Sequence, residues 1–268
     1  MSIKITLSKS DNQIVGIIPA RFASSRLMGK PLANIGGKPM IIHTYESCLK
    51  SKLLKRVILA VDDQKVFDTA VKYGAEAVLT PPDLPSGSDR IAFVAKNISA
   101  DIVVNIQGDE PFIYGQMIDQ AIEPLLFDKT IEVSTLIKKI KNSDELKSSS
   151  VVKCVFDNDN FAMYFSRAPI PFSRESMTFY DRIELGGIYK HIGLYVYRKN
   201  ALLKFTSLKP SDLEQIEKLE QLRMLENNIK IKVVETEYES LSVDTPKDLE
   251  IVRKYFNKYI KTKNENIQ

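Results

Sequence analysis

Four cations follow a short apolar run near the start of the chain. The stretch from Gly16 to Ile41 reads GIIPARFASSRLMGKPLANIGGKPMI, and its cations are Arg21, Arg26, Lys30 and Lys38. Three glycines lie between them; glycine lets backbone N–H groups approach an anion, while Arg and Lys side chains neutralise its charge. The stretch therefore predicts a phosphate-binding loop. A surface loop of solvated cations is the alternative.

The loop differs from two familiar phosphate-binding motifs. Its GKP lacks the Ser or Thr that holds magnesium in a Walker loop, and it contains no G-x-G-x-x-G. A nucleotide bound here would be held by a different arrangement of backbone and cations.

Two aspartates are candidate metal ligands. Asp109 follows the apolar run VVNIQG, and Asp244 lies in SVDTP, just before the last predicted helix. Magnesium takes hard oxygen ligands, typically one or two carboxylates with phosphate oxygens and water. Taken alone, Asp109 is a fair candidate ligand, whereas Asp244 reads more often as a helix cap. Glu110 faces the opposite way if its strand continues.

Alternating elements in the first half must position these groups. Four apolar runs predict strands: NQIVGIIPA, KRVILAVDD, AEAVLT and ADIVVNIQGDEP. Four segments with helical spacing follow them in turn: KPMIIHTYESCLKSK, QKVFDTAVKYG, SDRIAFVAKNI and GQMIDQAIEPLLF. The pattern predicts the α/β class, as a Rossmann-like, mostly parallel open sheet with helices on both faces. Ligands of such sheets bind beyond the carboxyl ends of the strands, which is where the cationic loop begins.

The second half is richer in strands. EVSTLIKKI, SVVKCVFDNDNFAMYFSR with a turn at 158–160, YKHIGLYVYR and IKIKVVETE predict strands, and SDLEQIEKLEQLRMLENN predicts one amphipathic helix. TPKDLEIVRKYFNKYI predicts a terminal helix capped by Asp244 or Thr245, with Pro246 near its start. We therefore expect a single domain over 1–268 with an inserted β-rich lobe at about 150–200.

Composition limits the function classes. The chain has 268 residues, 44% of them hydrophobic, with no run of membrane-spanning length and no secretory signal at its start. Cys48 and Cys154 lie far apart without metal-ligand spacing, which predicts reduced thiols in a cytoplasmic protein. The net charge of +4 comes without a basic stripe interleaved with aromatics, so we expect no nucleic-acid partner and no membrane partner.

Seven motifs, in the same order, resemble those of the sugar-nucleotide cytidylyltransferases, specifically the 3-deoxy-manno-octulosonate (Kdo) cytidylyltransferase family. They are IIPARFASSRLMGKPLANIGGKPMI, SGSDR, VVNIQGDEP, YFSRAPIPF, KHIGLYVYR, LEQIEKLEQLR and VDTPKDLE. The resemblance covers about 14–253. It implies attack of the Kdo 2-hydroxyl on the α-phosphate of CTP with loss of pyrophosphate, a step of lipopolysaccharide biosynthesis, in a homodimer whose interface lies in the inserted lobe.

The resemblance also implies site residues around CTP and its metal. Lys30, Arg21, Asp109 and Asp244 would be catalytic, and the two aspartates would hold Mg²⁺. The nucleotide would contact Pro19, Ala20, Arg21, Arg26, Lys30, Ser86, Gly87, Arg90 and Gln107. Lys38 lies further along and can be read as a solvated residue at a helix start.

An acidic 3-deoxy sugar needs a cation for its carboxylate and polar groups for its hydroxyls. The resemblance implies contacts from Gln107, Arg167, His191, Tyr195, Glu214 and Glu217. His191 and Tyr195 are four apart, so on a strand they point to one face. Glu214, Glu217 and Glu220 can also be read as a solvated acidic stripe on one helix. His43 reads as structural.

Two departures from the family pattern leave the acceptor open. Asp83, Leu84 and Pro85 precede SGSD where a histidine and SGT are common, and Met28 replaces the usual proline of RLPGKPL. Both could favour another acceptor, such as 8-amino-Kdo or a sialic-acid-like sugar. A non-catalytic nucleotide-binding protein is the third alternative.

Overall fold

A computed structural model describes residues 13–23, 27–174, 178, 181, 183, 186–239 and 241–265, the last seven by their backbone. Its strands are β1 Ile14–Ala20, β2 Asn34–Ile35, β3 Lys38–Pro39, β4 Arg56–Val61, β5 Ala77–Leu79, β6 Ile102–Asn105, β7 Val133–Lys139, β8 Lys153–Phe156, β9 Ala162–Ser166, β10 Tyr189–Arg198 and β11 Ile231–Glu235. Its α-helices are α1 Met40–Cys48, α2 Gln64–Lys72, α3 Gly87–Lys96, α4 Gly115–Phe127, α5 Ser143–Lys147, α6 Lys199–Ser207, α7 Asp212–Glu217, α8 Gln221–Glu226 and α9 Pro246–Glu265. Lys30–Leu32 forms a short 3-10 helix.

One open sheet organises the described residues. Its strand order is β11-β7-β10-β6-β1-β4-β5, with β8 and β9 attached beside β10. β1 runs parallel to β4 and β6, and β11 runs parallel to β7. Apolar side chains alternate between two cores: Ile17 packs with the α3 and α6 side, and Ile18 packs with the α1, α2 and α4 side. The predicted α/β class, with a mostly parallel open sheet and helices on both faces, is confirmed.

The segment predicted as a β-rich lobe, at about 150–200, contributes three strands, β8, β9 and β10, that pair with the main sheet or with one another. β10 lies in the middle of the main sheet, antiparallel to both β6 and β7. Only the β8–β9 hairpin projects from it, through the pairing of Tyr189 with Cys154. The alternating pattern of β10 was visible in the sequence, but its long-range partners were not.

Helix prediction failed in the second half at three places. α5 and α6 were not predicted, and the single helix expected over 211–228 is two short helices. Lys218 separates them, because its backbone takes the left-handed conformation at φ 54°, ψ 48°. Glu214, Glu217 and Glu220 therefore do not form one helical stripe.

The terminal helix closes the fold over the first loop. Val243 and Leu249 share a small core with Ile35 and Met40, which follow the 3-10 helix. Apolar burial of this kind contributes roughly 25 cal/mol per Å² and stabilises the contact between the terminal helix and the segment that follows the 3-10 helix. Among the described residues, no helix combines the length and the apolar character that a bilayer crossing needs.

Candidate active site

Lys30 joins the two aspartates that the sequence singled out. Its Nζ lies 2.6 Å from Asp109 Oδ2 and 2.9 Å from Asp244 Oδ1. The side chain of Lys30 is only 13% exposed, against 27% and 41% for the two carboxylates. Partial burial weakens solvent screening, so the three charges interact more strongly than an exposed pair would.

Backbone contacts bring the three residues together. Gly29 precedes Lys30 with φ 67°, a left-handed conformation that glycine adopts readily, and begins the 3-10 helix. The N–H of Val243 donates to the carbonyl of Asp109 at 2.9 Å, which places Asp244 beside Asp109. The Thr245 hydroxyl accepts from the Asp248 N–H at 3.2 Å, so Thr245 caps α9. Asp244 is thereby left to face Lys30 rather than the helix.

A cavity of about 360 Å³ opens beside this cluster. Seven of the predicted nucleotide and catalytic residues line it: Pro19, Ala20, Arg21, Lys30, Gly87, Gln107 and Asp109. Gly108 forms part of the wall, where a Cβ would come within 2.8 Å of the carbonyl of Pro19. The carboxyl ends of β1 and β6 therefore meet here without an intervening side chain.

Arg90 does not reach the cavity as predicted. Its guanidinium is fully buried, donates to Asp62 Oδ2 at 3.2 Å and also bonds Thr80. Asp62 Oδ1 in turn accepts from the backbone N–H of Phe22 at 2.9 Å, within the first loop. Burial lowers the pKa of Arg90. Arg90 thus supports the backbone of the loop through Asp62, and its contact with the nucleotide stays a prediction.

The start of α3 faces the same region. Ser86 caps the helix, accepting from the Asp89 N–H at 3.2 Å and donating to the Asp89 carboxylate at 2.8 Å. Its hydroxyl is thus used within the helix, while Gly87 lines the cavity. N–H groups in the first turn of a helix have no partner within it and favour anions.

The predicted contact at Arg26 lies outside the described residues.

A second cavity of about 290 Å³ adjoins the first, and Gly87 and Gln107 line both. Gln107 Nε2 donates to the carbonyl of Gly193 at 3.1 Å, which fixes the amide between the cavities. The remaining lining residues are Ser88, Asn105, His191, Gly193, Tyr195, Tyr197, Phe205, Lys218, Leu219, Glu220, Gln221 and Met224. Gln107, His191 and Tyr195, three of the residues that the resemblance implies for the sugar, therefore lie around one cavity.

His191 is a neutral ring in this cavity. Its Nε2 lies 3.0 Å from Thr135 Oγ1, and that hydroxyl donates to the carbonyl of Leu194 at 2.8 Å. The hydroxyl therefore accepts from Nε2–H, which leaves Nδ1 as an acceptor. Burial against Phe165 and Tyr195 lowers the pKa of His191 to about 3. The imidazole stays uncharged at neutral pH.

Three buried polar atoms in the second cavity lack a hydrogen-bond partner within the described structure. They are Asn105 Oδ1, the Tyr195 hydroxyl and Gln221 Nε2. The Tyr195 hydroxyl lies near Thr135, but without hydrogen-bond geometry, and burial raises its pKa well above the usual value. A buried polar group without a partner costs roughly 1–3 kcal/mol. Three such atoms around one cavity indicate a polar ligand.

The other predicted sugar contacts have different partners. Arg167 Nε donates to the carbonyl of Glu217 at 2.7 Å, and its NH1 donates to Ser149 O at 2.9 Å. The Glu217 carboxylate accepts from Ser166 Oγ and Arg167 N. Glu214 is buried, caps α7 and pairs with Arg223, which lowers the pKa of its carboxyl despite burial. None of these three residues lines the second cavity, and their contacts with the sugar stay predictions.

Sequence reasoning missed Asn105, Lys218 and Gln221 as lining residues. Asn105 did carry a signal, because it is the polar end of the apolar strand IVVN. Lys218 and Gln221 carried none, since their placement depends on the break between α7 and α8. Glu220, noted only as part of an acidic stripe, accepts from Ser88 Oγ at 2.7 Å.

The carboxylates of Asp109 and Asp244, beside the first cavity, fit a divalent ion of the magnesium type. Two carboxylates converge on one point, and within the described residues no third acidic, His or Cys side chain completes an all-protein site. Magnesium is commonly bound by one or two carboxylates, with phosphate oxygens and water as the remaining ligands. Asp109 and Asp244 would hold it.

Comparison with known proteins agrees with this geometry. A sequence model of the family described as Cytidylyltransferase matches residues 15–231. The 3-deoxy-manno-octulosonate cytidylyltransferase of Trichlorobacter lovleyi is 49% identical over 241 residues, covering 88% of this chain and 96% of its own length. That of Pelobacter propionicus is 49% identical over 247 residues, covering 91% and 97%.

A solved structure is similar as well. CMP:2-keto-3-deoxy-manno-octonic acid synthetase complexed with CTP matches with a TM-score of 0.86 at 38% identity, covering 92% of this chain and 99% of that chain. Sequence identity, coverage and fold agree. The chain belongs to the 3-deoxy-manno-octulosonate cytidylyltransferase family.

Proposed function

We propose that this enzyme transfers the cytidylyl group of CTP to 3-deoxy-D-manno-octulosonate, giving the CMP-sugar and pyrophosphate for lipopolysaccharide biosynthesis. The observation that carries the proposal is the meeting of two unlike cavities at Gly87 and Gln107. One is bordered by cations and carboxylates, as a triphosphate with its metal requires. The other is lined mainly by neutral polar and aromatic groups, as a sugar requires.

The first loop holds the triphosphate in this proposal. Lys30 and Arg21 line the cavity and neutralise phosphate charge, and the start of α3 presents backbone N–H groups at Gly87. Arg21 NH2 donates to the carbonyl of Leu84 at 2.6 Å, which orients its guanidinium. Positioning and electrostatic stabilisation supply most of the catalysis of phosphoryl transfer.

The acceptor lies in the second cavity with its 2-hydroxyl toward the shared wall. A bond forms between the 2-oxygen and the α-phosphorus, and the proton of the 2-hydroxyl passes to solvent water. The bond from that phosphorus to the bridging oxygen breaks, and pyrophosphate leaves with the electron pair. His191 is a poor base here because its pKa is about 3. Its Nδ1, with Asn105, Tyr195 and Gln221, instead accepts and donates hydrogen bonds to the sugar hydroxyls.

Magnesium is part of the proposal. Held by Asp109 and Asp244, it would neutralise phosphate charge and support the departure of pyrophosphate. Lys30 bridges the two carboxylates. With phosphates present, the Lys30 ammonium can turn from the carboxylates to a phosphate oxygen, since both are anionic.

The proposal includes a homodimer in the cytoplasm. Exposed apolar side chains lie on β9, after it and on α7: Met163 at 65%, Phe172 at 87% and Ile216 at 77% exposure. The hydrogen bond from Ser166 to Glu217 joins β9 to α7, and we propose that these exposed side chains contribute to the interface between subunits. Cys48 and Cys154 are buried free thiols, as a reducing compartment permits.

A panel of acceptors tests the proposal. Pyrophosphate release is measured with CTP, Mg²⁺ and, in turn, Kdo, 8-amino-Kdo and N-acetylneuraminate. We expect Kdo or its 8-amino analogue to give the highest kcat/KM. Turnover with the nine-carbon sugar alone would contradict the proposed acceptor, and background rates with all three would favour a non-catalytic nucleotide-binding protein.

A further inference from the structure

The acceptor carboxylate needs a cation, and the residue predicted to supply it is occupied elsewhere. Arg167 gives its Nε to the carbonyl of Glu217 and its NH1 to the carbonyl of Ser149. Its NH2 lies 3.4 Å from the carbonyl of Lys218. A guanidinium that satisfies three backbone carbonyls is a clamp on the chain rather than an available anion receptor.

Lys218 is the one cationic side chain among the described residues that line the second cavity. His191 is neutral there, and Glu220, the one carboxylate in that lining, accepts from Ser88 Oγ. The remaining lining groups are uncharged. Of the described lining residues, Lys218 is therefore the one that offers an acidic ligand a positive charge.

The backbone at Lys218 is unusual for a lysine. It caps the end of α7 in the left-handed conformation, at φ 54° and ψ 48°, where helices commonly place glycine. A side chain with a Cβ is disfavoured in this conformation. Such departures persist where the surroundings impose them, and they concentrate at binding sites.

The residues around Lys218 hold its backbone in this left-handed conformation. Arg167 donates hydrogen bonds to the carbonyls of Glu217 and Lys218. The Glu217 carboxylate accepts a hydrogen bond from Ser166 Oγ at 2.6 Å. Behind them, the buried ammonium of Lys153 donates to the carbonyl of Arg167 at 2.6 Å. The cation at the cavity is thus set on a rigid, hydrogen-bonded support.

We propose that Lys218 binds the carboxylate of the acceptor sugar and that Arg167 is a positioning residue that holds Lys218 in place. This assignment rests on the proposed function and deepens it. It makes Lys218 a specificity residue, which selects an acidic sugar over a neutral one of the same shape.

The test compares Lys218→Met with Lys209→Met, which removes an exposed cation from the loop before α7. Steady-state kinetics at saturating CTP are measured with Kdo and with its C1 carboxamide. We expect Lys218→Met to raise the KM for Kdo by roughly 10- to 100-fold, as for a lost hydrogen bond to a charged group. The KM for CTP stays unchanged, the preference for acid over amide collapses, and Lys209→Met behaves as the parent enzyme.

Lys218→Gly separates binding from folding. Glycine suits the left-handed backbone, so the melting temperature should be maintained or raised while the KM for Kdo rises as in Lys218→Met. Arg167→Gln should also raise the KM for Kdo and reduce the preference for acid over amide. In the Lys218→Met background it should add little further, because both act on one contact.

Unchanged KM values and an unchanged acid preference in Lys218→Met and Lys218→Gly would overturn the assignment. If the parent enzyme released no pyrophosphate from CTP with Kdo, the proposed function would fail instead. Equilibrium dialysis of Kdo against the parent and Lys218→Met proteins distinguishes the two failures. Equal retention by both proteins, or retention by neither, counts against Lys218.

Discussion

The two cavities are built on different physical principles. The phosphate cavity is bordered by charged side chains, with Lys30 set between Asp109 and Asp244. The acceptor cavity is lined mostly by neutral groups, several of them buried without hydrogen-bond partners in the described structure. Charge draws the triphosphate over a distance, whereas unsatisfied hydrogen-bonding groups select shape and hydroxyl pattern at contact.

The two cavities also differ in the parts of the chain that form them. The phosphate cavity depends on contacts between distant parts of the chain: the hydrogen bond from Val243 to Asp109 and the small core that Ile35 shares with the terminal helix. The acceptor cavity gathers short segments from β6, β10, α3 and the α7–α8 turn. Mutations at the first should impair chemistry, and mutations at the second should impair acceptor binding.

Asp109→Asn should have the largest effect. It keeps the side-chain shape but removes the charge that faces Lys30 and the proposed metal, so kcat should fall roughly 100- to 1,000-fold, as for other preorganised electrostatic groups. The melting temperature should stay within a few degrees. The value of kcat is measured from pyrophosphate release in a stopped assay. Asp68→Asn, at an exposed position on α2, is the control. Activity close to the parent's would refute the assigned role.

Lys30→Met should come next. The loss of one charged contact to phosphate should lower kcat/KM for CTP by roughly 10- to 100-fold. Lys38→Met is the matched control, because Lys38 lies in the same loop but pairs with Glu46 at 2.6 Å. Equal losses in the two variants would mean that the loop acts by net charge alone rather than by the geometry at Lys30.

Tyr195→Phe should sharpen the contrast from the acceptor side. The KM for Kdo should rise about 3- to 10-fold, the worth of one neutral hydrogen bond, while the KM for CTP is unchanged. Because the hydroxyl is buried without a partner, its removal should not lower the melting temperature. Differential scanning fluorimetry and acceptor kinetics together check this. A destabilised variant with a normal KM would give Tyr195 a structural role only.

The smallest effect concerns the protonation of His191. Its folded-state pKa, about 3, lies below the unfolded value of roughly 6.5. The unfolded state therefore binds the proton first, so this residue lowers stability as pH falls from 6.5 toward 3. In urea titrations, the free energy of unfolding of His191→Gln should fall less between pH 7 and pH 5 than that of the parent protein.

Nitrogen NMR should find Nε2 of His191 protonated and Nδ1 unprotonated at pH 6. An imidazolium signal at that pH would contradict this environment.

The sequence predicted the phosphate end better than the acceptor end, and the reason is physical. Arg21, Lys30 and Asp109 follow strands whose carboxyl ends must meet in a parallel sheet, so local pattern places them. Asp244 needed the family resemblance, because a residue before a helix is usually its cap; Thr245 proved to be the cap.

The acceptor end depends on contacts that local pattern does not encode. Lys218 lies at the rim of the second cavity because α7 ends there in a left-handed residue, whereas the amphipathic pattern of the sequence continues across that break. Glu214 and Arg167 matched family motifs, yet each has a partner from another part of the chain, Arg223 for one and Glu217 for the other. Similarly, β10 was predicted as a strand, but its central place between β6 and β7 required long-range pairing.

The most direct test of the central claim is the magnesium dependence of CTP affinity. Calorimetric titrations of CTP, with and without Mg²⁺, compare the parent protein with Asp109→Asn, Asp244→Asn and the double variant. If the two carboxylates share one ion beside Lys30, each single variant should lose most of the affinity gained from magnesium, and the double variant should lose little more. A full magnesium gain in either single variant, or losses that simply add in the double variant, would contradict a shared site.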